Sequence, residues 1–252
     1  MDETDLEKAG LLWKMAQLRF TVFPLTPPES EGNAWWANAV GNAPENTILT
    51  PHQRERRDEG PFPGGSLVLS IRPQRVDWLL PVGAPAPAEF INAPAYSETL
   101  PPFEALVRAW TSAHCPPVQR AALGAILMHP VPTPRDGNRL LMQMVPGLRL
   151  DGYDVSDAVF EVNRPIVSAR YTSPLKINRL MKWSVITFQS FEIVLPTPSL
   201  TQTRSDVAVC RLELDINTDS QLSGSLDSKH LVPVVDELIQ LATTIAAQGD
   251  PQ

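Results

Sequence analysis

Three oxygen-bearing side chains alternate within "CRLELDINTDSQ", residues 210–221. Asp215, Asn217 and Asp219 fall where a calcium-binding loop places its ligands at positions one, three and five. Such a loop also needs a glycine at position six for its sharp turn and a bidentate glutamate at position twelve. Ser220 and Leu226 stand there instead. The three residues therefore read as turn chemistry at the end of a strand. No metal and no cofactor is expected.

Other candidates for chemistry are equally incomplete. "RDGNR", 135–139, sets two arginines around an Asp-Gly pair, a spacing that could grip phosphate or carboxylate; a polar turn leading into a helix explains it as well. "FPGGS", 62–66, is a glycine pair before a strand and has no helix N-terminus behind it to cradle a phosphate. His52, His114, His129 and His230 form no HxH, HxxxH or HExxH pair. Cys115 and Cys210 are far apart, without CxxC spacing, and read as buried thiols. Asp58 and Glu59 sit in "RERRDEG", which reads as a solvated charged turn. There is no nucleophile elbow of the form GxSxG.

Two features point toward binding. From Arg164 to Lys182 the chain carries Arg164, Arg170, Lys176, Arg179 and Lys182 and no acid, with Tyr171 inside the stretch and Trp183 just after it. Bases interleaved with aromatics can hold phosphates and stack on nucleobases; a solvated strand face beside acidic neighbours is the blander reading. From Phe191 onward nine acids oppose three bases. The second feature is Trp35–Trp36. Adjacent indoles point different ways, so one of them could remain exposed as a binding anchor; docking of the segment onto its own core explains the pair equally well.

These residues need elements to hold them. The chain has 252 residues, enough for a sizeable core, with 43% hydrophobic and 19% charged residues and a net charge of −7. That balance weighs against nonspecific nucleic-acid binding. Its 26 prolines, roughly twice the usual ~5% share, are spread along the chain and predict short elements with irregular connections. Alternation predicts a first strand in "MAQLRFTVF", with Leu18, Phe20 and Val22 on one face and Arg19, Thr21 and Phe23 on the other. A long segment dense in Pro, Gly and Asn follows, read as a functional loop or insertion with a short helix near Trp35–Val40.

A hairpin is predicted over 65–82, turning at Pro73–Gln74. "LPPFEALVRAWTSA" places Phe103, Leu106, Val107 and Trp110 on one helix face, its prolines fitting the first turn. A strand over 118–131, a short helix at about 135–145, and strands in "SDAVFEVNRPIVSARYT", "KWSVITFQSFEIVL" and "SDVAVCRLELDINT" come next, closed by a helix in "LVPVVDELIQLATTIAA". The expected fold is α+β: a mostly antiparallel sheet covered by a few helices, with a long Pro-rich insertion after the first strand. One domain over 1–252 is expected, with two halves, 1–150 and 151–252, as an option. No run reaches the roughly 20 apolar residues of a membrane span, and the acidic start "MDETDLEKAG" is unlike a signal peptide. A cytoplasmic location is expected.

"LRFTVF", "PFEALVRAW" followed directly by "VQRAALGAILMHPV", and "CRLELDINT" before a C-terminal helix together resemble a sporadically distributed family of uncharacterised bacterial proteins found near mobile and defence loci. The resemblance spans most of the chain through hydrophobic patterning. It departs at "ALGAILMHP", where the family carries a Gly-Leu-Arg-Tyr-like core and this chain lacks the Arg-Tyr pair. The family has no agreed activity or catalytic residues to transfer. It implies an accessory protein of a bacterial defence system. The leading expectation is thus a non-enzymatic interaction or regulatory subunit that binds another protein through Trp35 and Trp36. The alternative is a nucleic-acid or nucleotide binder using the five bases of 164–182. A third is an enzyme assembled from scattered residues such as His114, Cys115 and His129.

Overall fold

The computed structural model describes residues 11–28, 34–81, 92–150, 155–171, 173–193, 202–219, 225–226 and 228–251. The acidic start over 1–10, the Pro/Ala-rich connection over 82–91 and part of the expected boundary over 146–156 lie outside the described residues.

Ten strands form one sheet: β1 (Lys14–Pro24), β2 (Asn46–Thr50), β3 (Glu55–Phe62), β4 (Gly65–Arg72), β5 (Arg75–Pro81), β6 (Val118–Val131), β7 (Val159–Asn163), β8 (Ile166–Val167), β9 (Lys176–Ile193) and β10 (Gln202–Thr218). Their order is β2-β3-β4-β5-β1-β6-β10-β9-β7, with β8 also on β9, and neighbours run antiparallel. Among the described residues four α-helices accompany the sheet: α1 (Trp35–Val40), α2 (Tyr96–Ala113), α3 (Pro134–Met144) and α4 (Ser228–Gln248). This is the expected α+β class. Strands from before residue 150 and from after it join in the same sheet, at the β6–β10 ladder.

Period-2 alternation decides which side of each strand meets the helices. In β1 the inward set is Met15, Leu18, Phe20 and Val22. The register shifts between Met15 and Gln17, so one extra residue lets Met15 and Leu18 share a face although three positions separate them. Facing positions in β4, β5, β6, β9 and β10 supply Leu69, Trp78, Leu123, Trp183 and Leu212 to the same core. In α2, Phe103, Leu106, Val107 and Trp110 are buried, as the 3.6-residue period predicts. α4 adds Val234, Val235, Leu238, Ala242 and Ile245. Over Lys229–Gln248 this helix is long and apolar enough to cross a membrane, and 50% of that stretch is buried inside the protein. Its apolarity therefore has a use in the core.

Several expectations need correcting. The segment after β1 is not simply an irregular insertion: β2 and β3 form within it and extend the sheet by two strands. "RERRDEG" is part of β3 rather than a solvated turn. Asp58 is 0% exposed on the core side, where it accepts the Thr47 hydroxyl at 2.7 Å and Arg56 Nε at 2.9 Å. Helix α2 begins at Tyr96, so Pro101 and Pro102 fall in its second turn. By the i−4 rule they release the carbonyls of Ser97 and Glu98, two exposed residues whose carbonyls water can satisfy. "SDAVFEVNRPIVSARYT" yields two short strands, interrupted at Arg164–Pro165. Asp215 and Asn217 lie within β10, not in a turn, and Asn217 Nδ2 donates to Asp215 at 3.1 Å.

At one end of the sheet the two longest strands outrun their neighbour. β10 leaves β6 beyond Ala208, yet Gln202–Val207 continue to pair with Phe188–Ile193 as a two-stranded ribbon.

Candidate functional site

Trp36 does not reach the surface. It is 1% exposed, held by α1 against the inner side of β3, where a Cβ at position 60 would lie 2.9 Å from its Cζ2. Glycine at 60 is what lets the indole settle there. Its ring centroid is 6.1 Å from that of Trp78, which lies 6.0 Å from Trp110. Trp35 is half-buried and meets Trp110 edge-on at 5.4 Å. The short helix thus adds two rings to a four-tryptophan cluster. Partner contact through Trp36 is excluded while α1 stays docked; part of Trp35 remains accessible.

The five bases of 164–182 do not converge on one surface. Arg164 donates through Nε and Nη2 to Asp250 at 2.5 and 2.6 Å, and the Asp250 side chain is 0% exposed. The hydrogen bond and charge of Asp250 push the Arg164 guanidinium above its ordinary value. Arg170 lies 3.8 Å from Asp236 and donates to Gln240, Lys176 lies 3.9 Å from Asp219, and Lys182 lies 3.4 Å from Glu213. Arg179 Nε donates to the Arg164 carbonyl at 2.7 Å; burial draws this guanidinium below its ordinary value. Four of the five therefore pair with acids from the stretch after Phe191. The charge asymmetry between those two segments closes on itself inside the fold.

"RDGNR" belongs to the first turns of α3. Thr133 caps that helix, accepting from the Asp136 N–H at 3.2 Å while its hydroxyl donates to the Asp136 carboxylate at 2.6 Å. Arg139 turns back to Asp136 at 3.3 Å. Burial pushes the Cys115 and Cys210 thiols up to about 12, which keeps both protonated and poorly nucleophilic at neutral pH. His129 Nδ1 lies 3.2 Å from the Leu12 carbonyl, and the His230 ring meets Tyr171 at 5.8 Å. Among the described residues no group of three His, Cys, Asp or Glu side chains is placed to hold a metal.

What the geometry does present is the other side of the sheet. Among the described residues no helix packs on it, and the outward positions of neighbouring strands line up in cross-strand rows. One row reads Asn163, Leu180, Asp215, Gly124, Arg19, Leu79, Val68 and Glu59. Two shallow depressions flank Arg19. One, of about 270 Å³, is lined by Glu161, Lys182, Glu213 and Asp215. The other, of about 230 Å³, is lined by Glu55, Arg57, Arg72, Arg75 and Asp77. Gln17 and Arg19 line both.

Most charges on this face are matched. Asp77 accepts from Thr21 Oγ1 at 2.5 Å and from Arg75 Nε at 2.7 Å. Glu55 accepts from Ser70 at 2.9 Å and from Arg72 at 2.8 Å. Burial pushes the Glu55 carboxyl up, but the hydrogen bonds of Arg72 and Ser70 and the charges of Arg72 and Arg57 outweigh it and hold it below its ordinary value. Glu213 is shared by Lys182 and Arg211, each at 3.4 Å. Sequence reasoning put Arg19 on the correct side of β1 and attached no role to it. The missed signal was its place opposite a glycine, and that pairing exists only once the register is known.

No family model, no curated protein and no solved structure matches this chain.

Proposed function

We propose that this chain is a non-catalytic interaction or regulatory subunit of a bacterial complex, a cytoplasmic component of a defence system, and that it receives a protein partner on the open face of its sheet. The supporting observation is that face itself: a broad surface, helix-free among the described residues, whose rows set partly exposed apolar positions such as Leu79 and Leu180 among ion pairs. Such a mixture suits a partner interface with buried apolar centres and a polar rim. Trp35 takes a secondary place in this reading, and Trp36 none. The bacterial and defence setting rests on the resemblance of "LRFTVF", "PFEALVRAW", "VQRAALGAILMHPV" and "CRLELDINT" alone. The alternative, nucleic-acid or nucleotide binding by Arg164, Arg170, Lys176, Arg179 and Lys182, is disfavoured because four of these side chains already meet carboxylates.

The test is an affinity capture from the native host with and without nuclease, using the wild type and a Leu79→Glu/Leu180→Glu double variant. A stoichiometric, nuclease-resistant protein captured by the wild type and lost from the variant supports the reading. A partner retained equally by the variant removes the open face from it. Recovery of nucleic acid, reduced by neutralising 164–182, promotes the alternative.

A further inference from the structure

We infer that the open face carries an oxyanion-binding site centred on Arg19, taking a ligand that bears a carboxylate or phosphate group. Two features of the fold place the guanidinium. On one side its cross-strand neighbour is Gly124, and a Cβ there would lie 3.5 Å from both Nε and Nη2. The planar group therefore lies over β6 where residue 124 carries no side chain, at a separation that would still admit a Cβ. On the other side its neighbour is Leu79, which offers no polar atom. Its Nε is buried and meets no hydrogen-bond acceptor among the described residues.

Four of the five carboxylates that line the two depressions are already engaged; the fifth, Glu161, stands across the ladder from Lys182. Asp77 is held by Arg75 and Thr21, Glu55 by Arg72 and Ser70, Glu213 by Lys182 and Arg211, and Asp215 accepts from Asn217. No carboxylate among the described residues pairs with Arg19. A buried guanidinium Nε without an acceptor is costly until one arrives. The depression on the β3–β4–β5 side adds Arg57, Arg72 and Arg75, which pair with Glu59, Glu55 and Asp77, so the net positive charge there is that of Arg19. The guanidinium fork matches the paired oxygens of a carboxylate or a phosphate. This site is independent of the protein-partner reading and stands or falls without it.

The test is calorimetric titration with inorganic pyrophosphate and, separately, with citrate, at ionic strength matched with sodium chloride. One saturable site is expected, weakened about 10- to 100-fold in Arg19→Gln, the factor that a hydrogen bond to a charged group carries. Binding of pyrophosphate alone assigns a phosphate-bearing ligand, and binding of citrate alone a carboxylate-bearing one; either supports the site. No saturable binding of either probe, or equal affinity in Arg19→Gln, overturns it. Should Arg19→Gln lose its far-ultraviolet circular dichroism, phenylglyoxal modification of the wild type decides. Slower modification of Arg19 in the presence of the bound probe supports the site, and an unchanged rate overturns it.

Discussion

The two faces of this sheet are built from the same strands and obey different rules. On the covered face, Trp36, Trp78 and Trp110 pack ring against ring beneath α1 and α2, and even the buried Asp58 is satisfied by Thr47 and Arg56. On the open face, ion pairs bridge adjacent strands or neighbours along one strand, and Arg19 and Arg120 meet no carboxylate among the described residues. Apolar burial scales with area and is insensitive to the identity of a partner, whereas exposed ion pairs contribute little to stability. The fold's stability is thus concentrated on one face, which leaves the composition of the other free to serve recognition.

The sharpest way to break that contrast is Trp36→Ala. Removing a fully buried indole from beneath α1 is expected to cost about 3–5 kcal/mol, read from urea unfolding. The half-buried Trp35→Ala should cost only about 1–2 kcal/mol. Equal losses would mean that α1 is not docked as described.

A smaller and pH-dependent effect is expected at Glu55. Its carboxyl is held below the ordinary 4.5, so the unfolded chain takes up the proton first as pH falls. The Glu55 contribution is present above pH 4.5 and is lost as pH falls through the lower native value. Glu55→Gln should flatten the acid limb of the stability profile while leaving its shape near neutrality unaltered.

The smallest effect belongs to the Lys182–Glu213 pair. Lys182→Met and Glu213→Gln should each change stability by no more than about 0.5 kcal/mol, because the pair is 3.4 Å long and partly solvated. A loss approaching that of Trp36→Ala would erase the distinction between the faces.

Much of the architecture was legible in local pattern. The alternation in "LRFTVF", the helical spacing of Phe103 to Trp110 and the turn at Pro73–Gln74 each name a conformation without reference to the rest of the chain. What misled were residues whose role depends on distant partners. "RERRDEG" looks like a charged turn until Asp58 is set opposite Thr47 and Leu69. The run of bases from Arg164 to Lys182 looks like a surface for a polyanion until Asp250, Asp236, Asp219 and Glu213 are brought beside it. Charge composition counts residues and cannot say which of them fold onto one another. The position of Arg19 beside Gly124 is likewise a property of register, carried by the pairing of β1 with β6 and by the shift between Met15 and Gln17.

The ribbon formed by Phe188–Ile193 and Gln202–Val207 is, in mechanical terms, a cantilever. Six residue pairs at about 3.3 Å each carry its tip about 20 Å past the last rung shared with β6. Inside the sheet, a bending load is spread over ladders on both sides; along the ribbon, among the described residues, a single ladder bears it. Stiffness therefore drops at one line across the molecule, the Ala208–Thr187 rung, and a small rotation there becomes a displacement of several ångströms at the tip.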